Sequence, residues 1–216
     1  MTRLSNPCFF PESSRPDKRP MPIEPLDVIN ECYPPGTKLR EILLIHSRAV
    51  ADRALAIAER LAHLRPDLAF IKEAALLHDI GVYLTNAPSI GCVGNHPYIC
   101  HGCLGRGILE EKGLFRHARV CERHVGVGLT AEEIWIENLP LPGRDMLPVT
   151  LEEEIICYAD NFFSKKPHLN GRPLAFESVV DNVARYGPGK VDRFLAWAAR
   201  FEGQGQIGIS SAGGGR

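Results

Sequence analysis

Leu76-Leu77-His78-Asp79-Ile80-Gly81 is the stretch that decides how this chain is read. An imidazole and a carboxylate sit side by side inside an apolar run. Burying them there is costly unless something compensates. A divalent metal compensates both: imidazole suits iron, zinc, manganese or nickel, and a carboxylate can bridge two ions. Four further residues of ligand type, His46, His101, His124 and Asp160, occur elsewhere in the chain and complete a set of six. The chain therefore reads as a metal-dependent enzyme.

Periodicity places each of the six on a helix or at a helix end. Thr37 caps a long segment in which Leu39, Ile42, Leu43, His46, Ala49, Val50, Ile57, Ala58 and Leu61 recur at helical spacing. Pro66-Asp67 opens a second helix that runs to His78, with Asp79 near its end. Residues 86–100 read as a long Gly/Pro loop, a kind more often functional than idle in a compact domain. Short helices are expected over 101–111 and 114–123, and His124 follows the second. Thr130-Ala131-Glu132-Glu133 and Thr150-Leu151-Glu152-Glu153 read as capping boxes. The second opens the helix that carries Asp160. Two more helices are expected near 175–186 and 190–201. Strand signals are weak throughout, so the fold class is all-α, a single-domain helical bundle.

The domain is expected to span residues 26–203. A Pro-rich leader (1–25) reads as extended or disordered, and a Gly/Ser-rich tail (204–216) as loose. The 216 residues suffice for one core, and the 44% apolar content is ordinary for a globular protein. A net charge of -1 argues against a nucleic-acid partner or an anionic membrane surface. No apolar run reaches the roughly 18 residues that span a bilayer, and no apolar signal core is present. The expected location is the cytoplasm, and the oligomeric state is open. Seven cysteines, an odd count, argue for free thiols. Cys100-His101-Gly102-Cys103 has the spacing of a zinc or redox motif. Such a zinc site would need two more ligands, for which Cys92 and Cys121 are the candidates.

Taken singly, each residue has an ordinary explanation: His46 as a hydrogen-bonded core histidine, Asp160 as a helix-end group, His101 and His124 as turn residues. The ordered set His46-Ser47, His78-Asp79, His101, His124 and Tyr158-Ala159-Asp160 is more specific. It resembles the HD superfamily of metal-dependent phosphohydrolases, in the branch with an HDIG motif. The resemblance covers roughly residues 39–166. It implies an all-helical fold with the metals at its centre, one ion held by His46, His78, Asp79 and Asp160. His101 and His124 are what the two-metal members add, with Asp79 bridging and His78 and Asp79 central to catalysis. The implied cofactors are two divalent transition-metal ions (Fe, Mn or Ni). Metals about 3.5–4 Å apart suit in-line displacement at phosphorus, with a bridging hydroxide as nucleophile. Val82 stands where cyclic-dinucleotide phosphodiesterases of the superfamily carry a lysine, and their GYP element is missing. Dinucleoside-tetraphosphate hydrolases are closer, but Phe162 and Phe163 are expected to alter the pocket floor.

The leading expectation is hydrolysis of a small phosphorylated metabolite or nucleotide. Lys165 or Lys166 would supply a cation, with Arg106 and Arg123 as further candidates, and Asn95 and His96 of the long loop would contact substrate. Gly126-Val127-Gly128 reads as a flexible turn sooner than as a phosphate cradle. Two alternatives use the same residues: a mixed-valence di-iron oxygenase of the same superfamily, and a non-catalytic nucleotide-sensing domain.

Overall fold

The structure is a computed structural model that describes residues 23–202. The expected tail and nearly all of the expected leader lie outside the described residues. Nine α-helices and one two-stranded ribbon make up the described chain. The first helix, α1 (Pro25–Cys32), has no counterpart among the expected elements. Pro25 is its first residue, where a proline costs no hydrogen bond, and the Glu24 side chain accepts from Leu26 N–H.

The remaining helices fall close to where the periodicity puts them. They are α2 (Lys38–Arg60), α3 (Leu68–Leu77), α4 (His101–Glu111), α5 (Phe115–Arg123), α6 (Ala131–Ile136), α7 (Leu151–Asp160), α8 (Phe176–Ala184) and α9 (Pro188–Phe201). Their starts are chemically marked. The side chains of Thr37 and Asp67 accept from Arg40 and Phe70 N–H. At α6 the capping box is complete, with Thr130 and Glu133 bonded reciprocally. At α7 it is half-formed. Thr150 accepts from Glu153 N–H, but the Glu153 carboxylate turns instead to Val149 N–H and the Arg123 guanidinium.

Helix α2 is the axis, packed against α3 and α7; α4 lies along α5, and α8 pairs with α9. One core cluster joins Ala54, Ile57, Ile71, Ile155, Phe194 and Phe201; a second, under α1, joins Ile29, Tyr33, Leu43, Leu77 and Leu109. Residues 86–100 are not a bare loop. Asn86–Ala87 (β1) pairs antiparallel with Cys92–Val93 (β2), and 3₁₀ turns flank the second strand.

Close backbone approaches hold the middle of the molecule together. A Cβ on Gly81 would lie 2.3 Å from His101 O and 2.4 Å from Gly105 N, so only glycine lets the His78-Asp79 turn rest on α4. A Cβ on Gly102 would likewise meet Cys121 O at 2.6 Å, so α4 and α5 also touch through a glycine. Among the described residues, no helix is long and apolar enough to cross a membrane.

Candidate metal centre

The six ligand candidates come from five places and converge. His46 is mid-way along α2, His78 caps α3, and Asp79 lies in the turn that follows. His101 is the first residue of α4, His124 caps α5, and Asp160 is the last residue of α7. His46, His78, Asp79, His101 and His124 are all buried, and only the Asp160 side chain, 15% exposed, reaches solvent.

Asp79 sits between two groups. Its Oδ2 lies 3.1 Å from both His46 Nε2 and His78 Nε2. Its Oδ1 lies 3.4 Å from His101 Nε2 and 3.5 Å from His124 Nε2. Asp160 Oδ1 joins the first group, 3.0 Å from His46 Nε2 and 3.4 Å from His78 Nε2. Within each group the imidazoles face each other, with Nε2···Nε2 distances of 3.2 Å (His46, His78) and 3.1 Å (His101, His124).

Three of these histidines are oriented by one device. The Nδ1 of His78, His101 and His124 each lies 2.7 Å from the carbonyl three residues earlier, on Ala75, Tyr98 and Cys121. Nδ1 then carries the proton and donates it, which leaves an Nε2 lone pair aimed inward. Lone pairs facing each other at this distance repel unless a cation lies between them. Asp79 Oδ1 and Asp160 Oδ1 are buried without a well-formed hydrogen bond. Inward lone pairs around such buried carboxylate oxygens are what a cation would satisfy, so the residues fit divalent metal ions. Three overlapping triplets have the required geometry: His46, His78 and Asp79; His78, His124 and Asp160; Asp79, His101 and His124.

In the protein alone, protons and the Lys165 ammonium stand in for such a cation. Burial works against ionisation of Asp79 and Asp160, yet His78, His46 and Lys165 hold both carboxyls well below the usual range. Burial also opposes protonation of His78, but the two carboxylates prevail and raise it to about 10. At His101 burial wins, and the pKa falls to about 3.

Of the expected cations only Lys165 reaches the centre, its Nζ 2.5 Å from Asp79 Oδ2. It does so without a helix to carry it. Helix α7 stops at Asp160, the chain turns through Phe162 and Phe163, and Lys165 folds back from the irregular segment. Lys166 is exposed beside it. Arg123 grips both oxygens of Glu153, and Arg106 is paired with Glu110 and Glu122, so neither faces the site.

A cavity of about 400 Å³ opens beside Asp160, lined by Ser89, Tyr98, Phe163, Ser164, Lys165 and Lys166 among others. The segment over 86–100 thus does flank the site, but not through the residues expected. Asn95 is exposed, His96 forms backbone bonds with Leu84 and Asn86, and neither lines the cavity. Tyr98 does: it contacts Lys165 and stacks beside His101 at 4.7 Å between ring centroids. Its place one 3₁₀ turn before His101 was the available signal. Phe162 corrects another expectation. It packs in the core under the Arg53 guanidinium, and only Phe163 reaches the pocket.

The C-x-x-C spacing does not build a zinc site. Cys100, Cys103 and Cys121 donate to Pro140 O, Met146 Sδ and the carbonyls of Leu77 and His78, respectively. No cysteine belongs to a metal-holding group among the described residues.

A model of the HD domain matches residues 43–164, a stretch that contains all six ligand candidates. The chain belongs to the HD domain family. An uncharacterized protein of Methanocaldococcus jannaschii is 40% identical over 142 residues, 63% of this chain and 76% of that one. A tRNA (cytidine(56)-2'-O)-methyltransferase of Thermoplasma volcanium is 31% identical over 148 residues, 68% of this chain and 38% of its own. The protein of the same name from Picrophilus torridus is 38% identical over 120 residues, 55% of this chain and 31% of its own. The chain thus spans about a third of the two methyltransferases it matches. No solved structure matches it.

Proposed function

We propose that this HD domain is a metal-dependent phosphohydrolase acting on a small phosphorylated metabolite or nucleotide. The observation that carries the reading is the division of Asp79. One oxygen faces His46 and His78, with Asp160 beside them, and the other faces His101 and His124. The first group would hold one divalent cation and the second another. Iron, manganese or nickel suits four imidazoles better than magnesium, which prefers oxygen. Such a pair, when bound, supplies an activated water and charge stabilisation for displacement at phosphorus.

The remaining work falls to the chain itself. Lys165 presents the one lysine ammonium of this cavity that is paired to the centre, and an entering phosphate would compete with Asp79 for it. The Tyr98 phenol and the Ser164 hydroxyl line the same cavity and would orient phosphoryl oxygens. Phe163 and Leu174 add an apolar side to it. A cation beside an open cavity favours an anionic substrate. The methyltransferase name belongs to longer chains that share only a stretch with this one.

The test is phosphate release by protein loaded with Mn²⁺ or Fe²⁺, across mononucleotides, dinucleoside polyphosphates and simple phosphate esters. Release is expected with part of this panel and should vanish in His78→Ala. An inert panel, together with oxygen consumption by the iron form, would transfer the site to oxygenase chemistry.

A further inference from the structure

His78 and His124 each stand just past the end of a helix, where the last carbonyls have no partner within the helix. Their rings are pinned through Nδ1. Their backbones are pinned from a neighbouring helix by a thiol. Cys121 on α5 places Sγ 3.0 Å from His78 O and 3.2 Å from Leu77 O. Cys157 on α7 places Sγ 3.3 Å from His124 O and 3.4 Å from Gly126 O. Both cysteines are fully buried, and burial in apolar surroundings keeps a thiol protonated and able to donate.

The two cysteines share a spacing. Cys121 stands three residues before His124 and Cys157 three before Asp160, so thiol and ligand lie on one face of the helix. The Cys121 carbonyl also accepts from His124 Nδ1–H. One line of bonds therefore runs from His78 through Cys121 to His124, and through Cys157 to the helical turn that ends at Asp160. Helix α4 closes on the same thiol, since a Cβ on Gly105 would lie 2.9 Å from Cys121 Sγ.

We propose that Cys121 and Cys157 are positioning residues of the metal centre, which set the turns of His78 and His124 through the carbonyls of those ligands. The inference rests on the metal reading of the six residues and is independent of the reaction they serve. Cys157 bears on His124, and so on the ion of the His101 and His124 side. Cys121 bears on both His78 and His124, and so on both ions. Loss of a group that orients a ligand weakens metal binding by about 10–100-fold.

The experiment is equilibrium dialysis of the metal-free full chain against Mn²⁺, with the electron paramagnetic resonance of the coupled ion pair as a second readout. Cys157→Ala is expected to weaken one ion by at least about tenfold and to keep the ion that His124→Ala keeps. Cys121→Ala is expected to weaken both. Serine keeps a donor, so Cys121→Ser and Cys157→Ser should bind closer to wild type than the alanine variants. Cys103→Ala is the control. It removes a similarly buried thiol, bonded to Met146 Sδ, and should lower the unfolding temperature without changing either binding constant. The two positions test the claim independently, should one alanine variant fail to fold. Alanine variants that bind both ions as wild type does, serine variants as weak as alanine, or a loss in Cys103→Ala as large as in Cys157→Ala would overturn the proposal. Wild-type protein that takes up no ion overturns the metal reading as well. Two ions bound normally by wild type and by both alanine variants overturn the positioning role alone.

Discussion

Asp79 is the residue on which the centre turns, because each of its oxygens faces a different pair of histidines. Asp79→Ala is expected to lose both cations, and His124→Ala mainly one, as read by elemental analysis of anaerobically purified protein. Normal stoichiometry in Asp79→Ala would show that the roles are misassigned. What holds Asp79 in place is a residue the ligand pattern does not contain. The buried Tyr33 hydroxyl lies 3.2 Å and 3.0 Å from the carbonyls of Asp79 and Ile80 and accepts from Tyr83 N–H. The Asp79 carbonyl also accepts from Val82 N–H, but Tyr33→Phe takes the hydroxyl partner from the Ile80 carbonyl and the Tyr83 N–H, at a cost of ~1–3 kcal/mol. Denaturant unfolding should show that loss, and metal affinity should fall with it. An unchanged affinity would confine Tyr33 to stability alone.

At the level of elements, the centre depends on how closely the His78-Asp79 turn and α4 approach. Gly81→Ala would drive a Cβ into the backbone of His101 and Gly105. That contact cannot be relieved by a side-chain rotation, so α4 must move and take His101 with it. Overpacking of this kind costs ~1–3 kcal/mol. The expected outcome is a lowered melting temperature with preferential loss of the ion on the His101 side, measured by calorimetry and metal content. The segment over 86–100 makes a separate prediction. Replacing Asn95 and His96 with alanine should leave substrate affinity unchanged, whereas Tyr98→Phe should raise KM with little effect on metal content, because of these three residues only Tyr98 lines the cavity. A raised KM in the Asn95/His96 double variant would instead show that the segment closes over substrate in a different arrangement.

Across the whole molecule, the six ligand candidates tie α2, α3, α4, α5 and α7 to one point. Without cations the same point holds a buried cluster of imidazoles and two carboxylates, with the Lys165 ammonium as the cation nearest to them. Metal binding is therefore expected to stabilise the folded chain as a unit, by about 2.7 kcal/mol per site when free metal is 100 times its Kd. A chelator should lower the melting temperature, and re-addition of Mn²⁺ should restore it. A melting temperature indifferent to both would mean that these residues do not bind metal in the folded state.

The sequence by itself determined the helices from α2 onward and the six candidate residues. Amphipathic spacing and the caps at Thr37, Asp67 and Thr130 are local signals, and a His-Asp pair in an apolar run is conspicuous in one dimension. It was silent on everything set by contacts distant along the chain. Helix α1 is only eight residues long and follows a proline-rich stretch, so its pattern was too short to read; its importance lies in Tyr33, whose hydroxyl meets carbonyls 46 and 47 residues away. Arg106 and Arg123 looked like phosphate ligands until packing gave them carboxylate partners. Lys165 and Lys166 are adjacent and chemically equal in sequence, yet the turn at Phe162–Phe163 brings one onto Asp79 and leaves the other in solvent. Which oxygen of Asp79 faces which histidines, and which cavities open beside them, are decided by the packing of helices against one another. Residue types name the available chemistry, but distances between remote segments exist only once the core has fixed them.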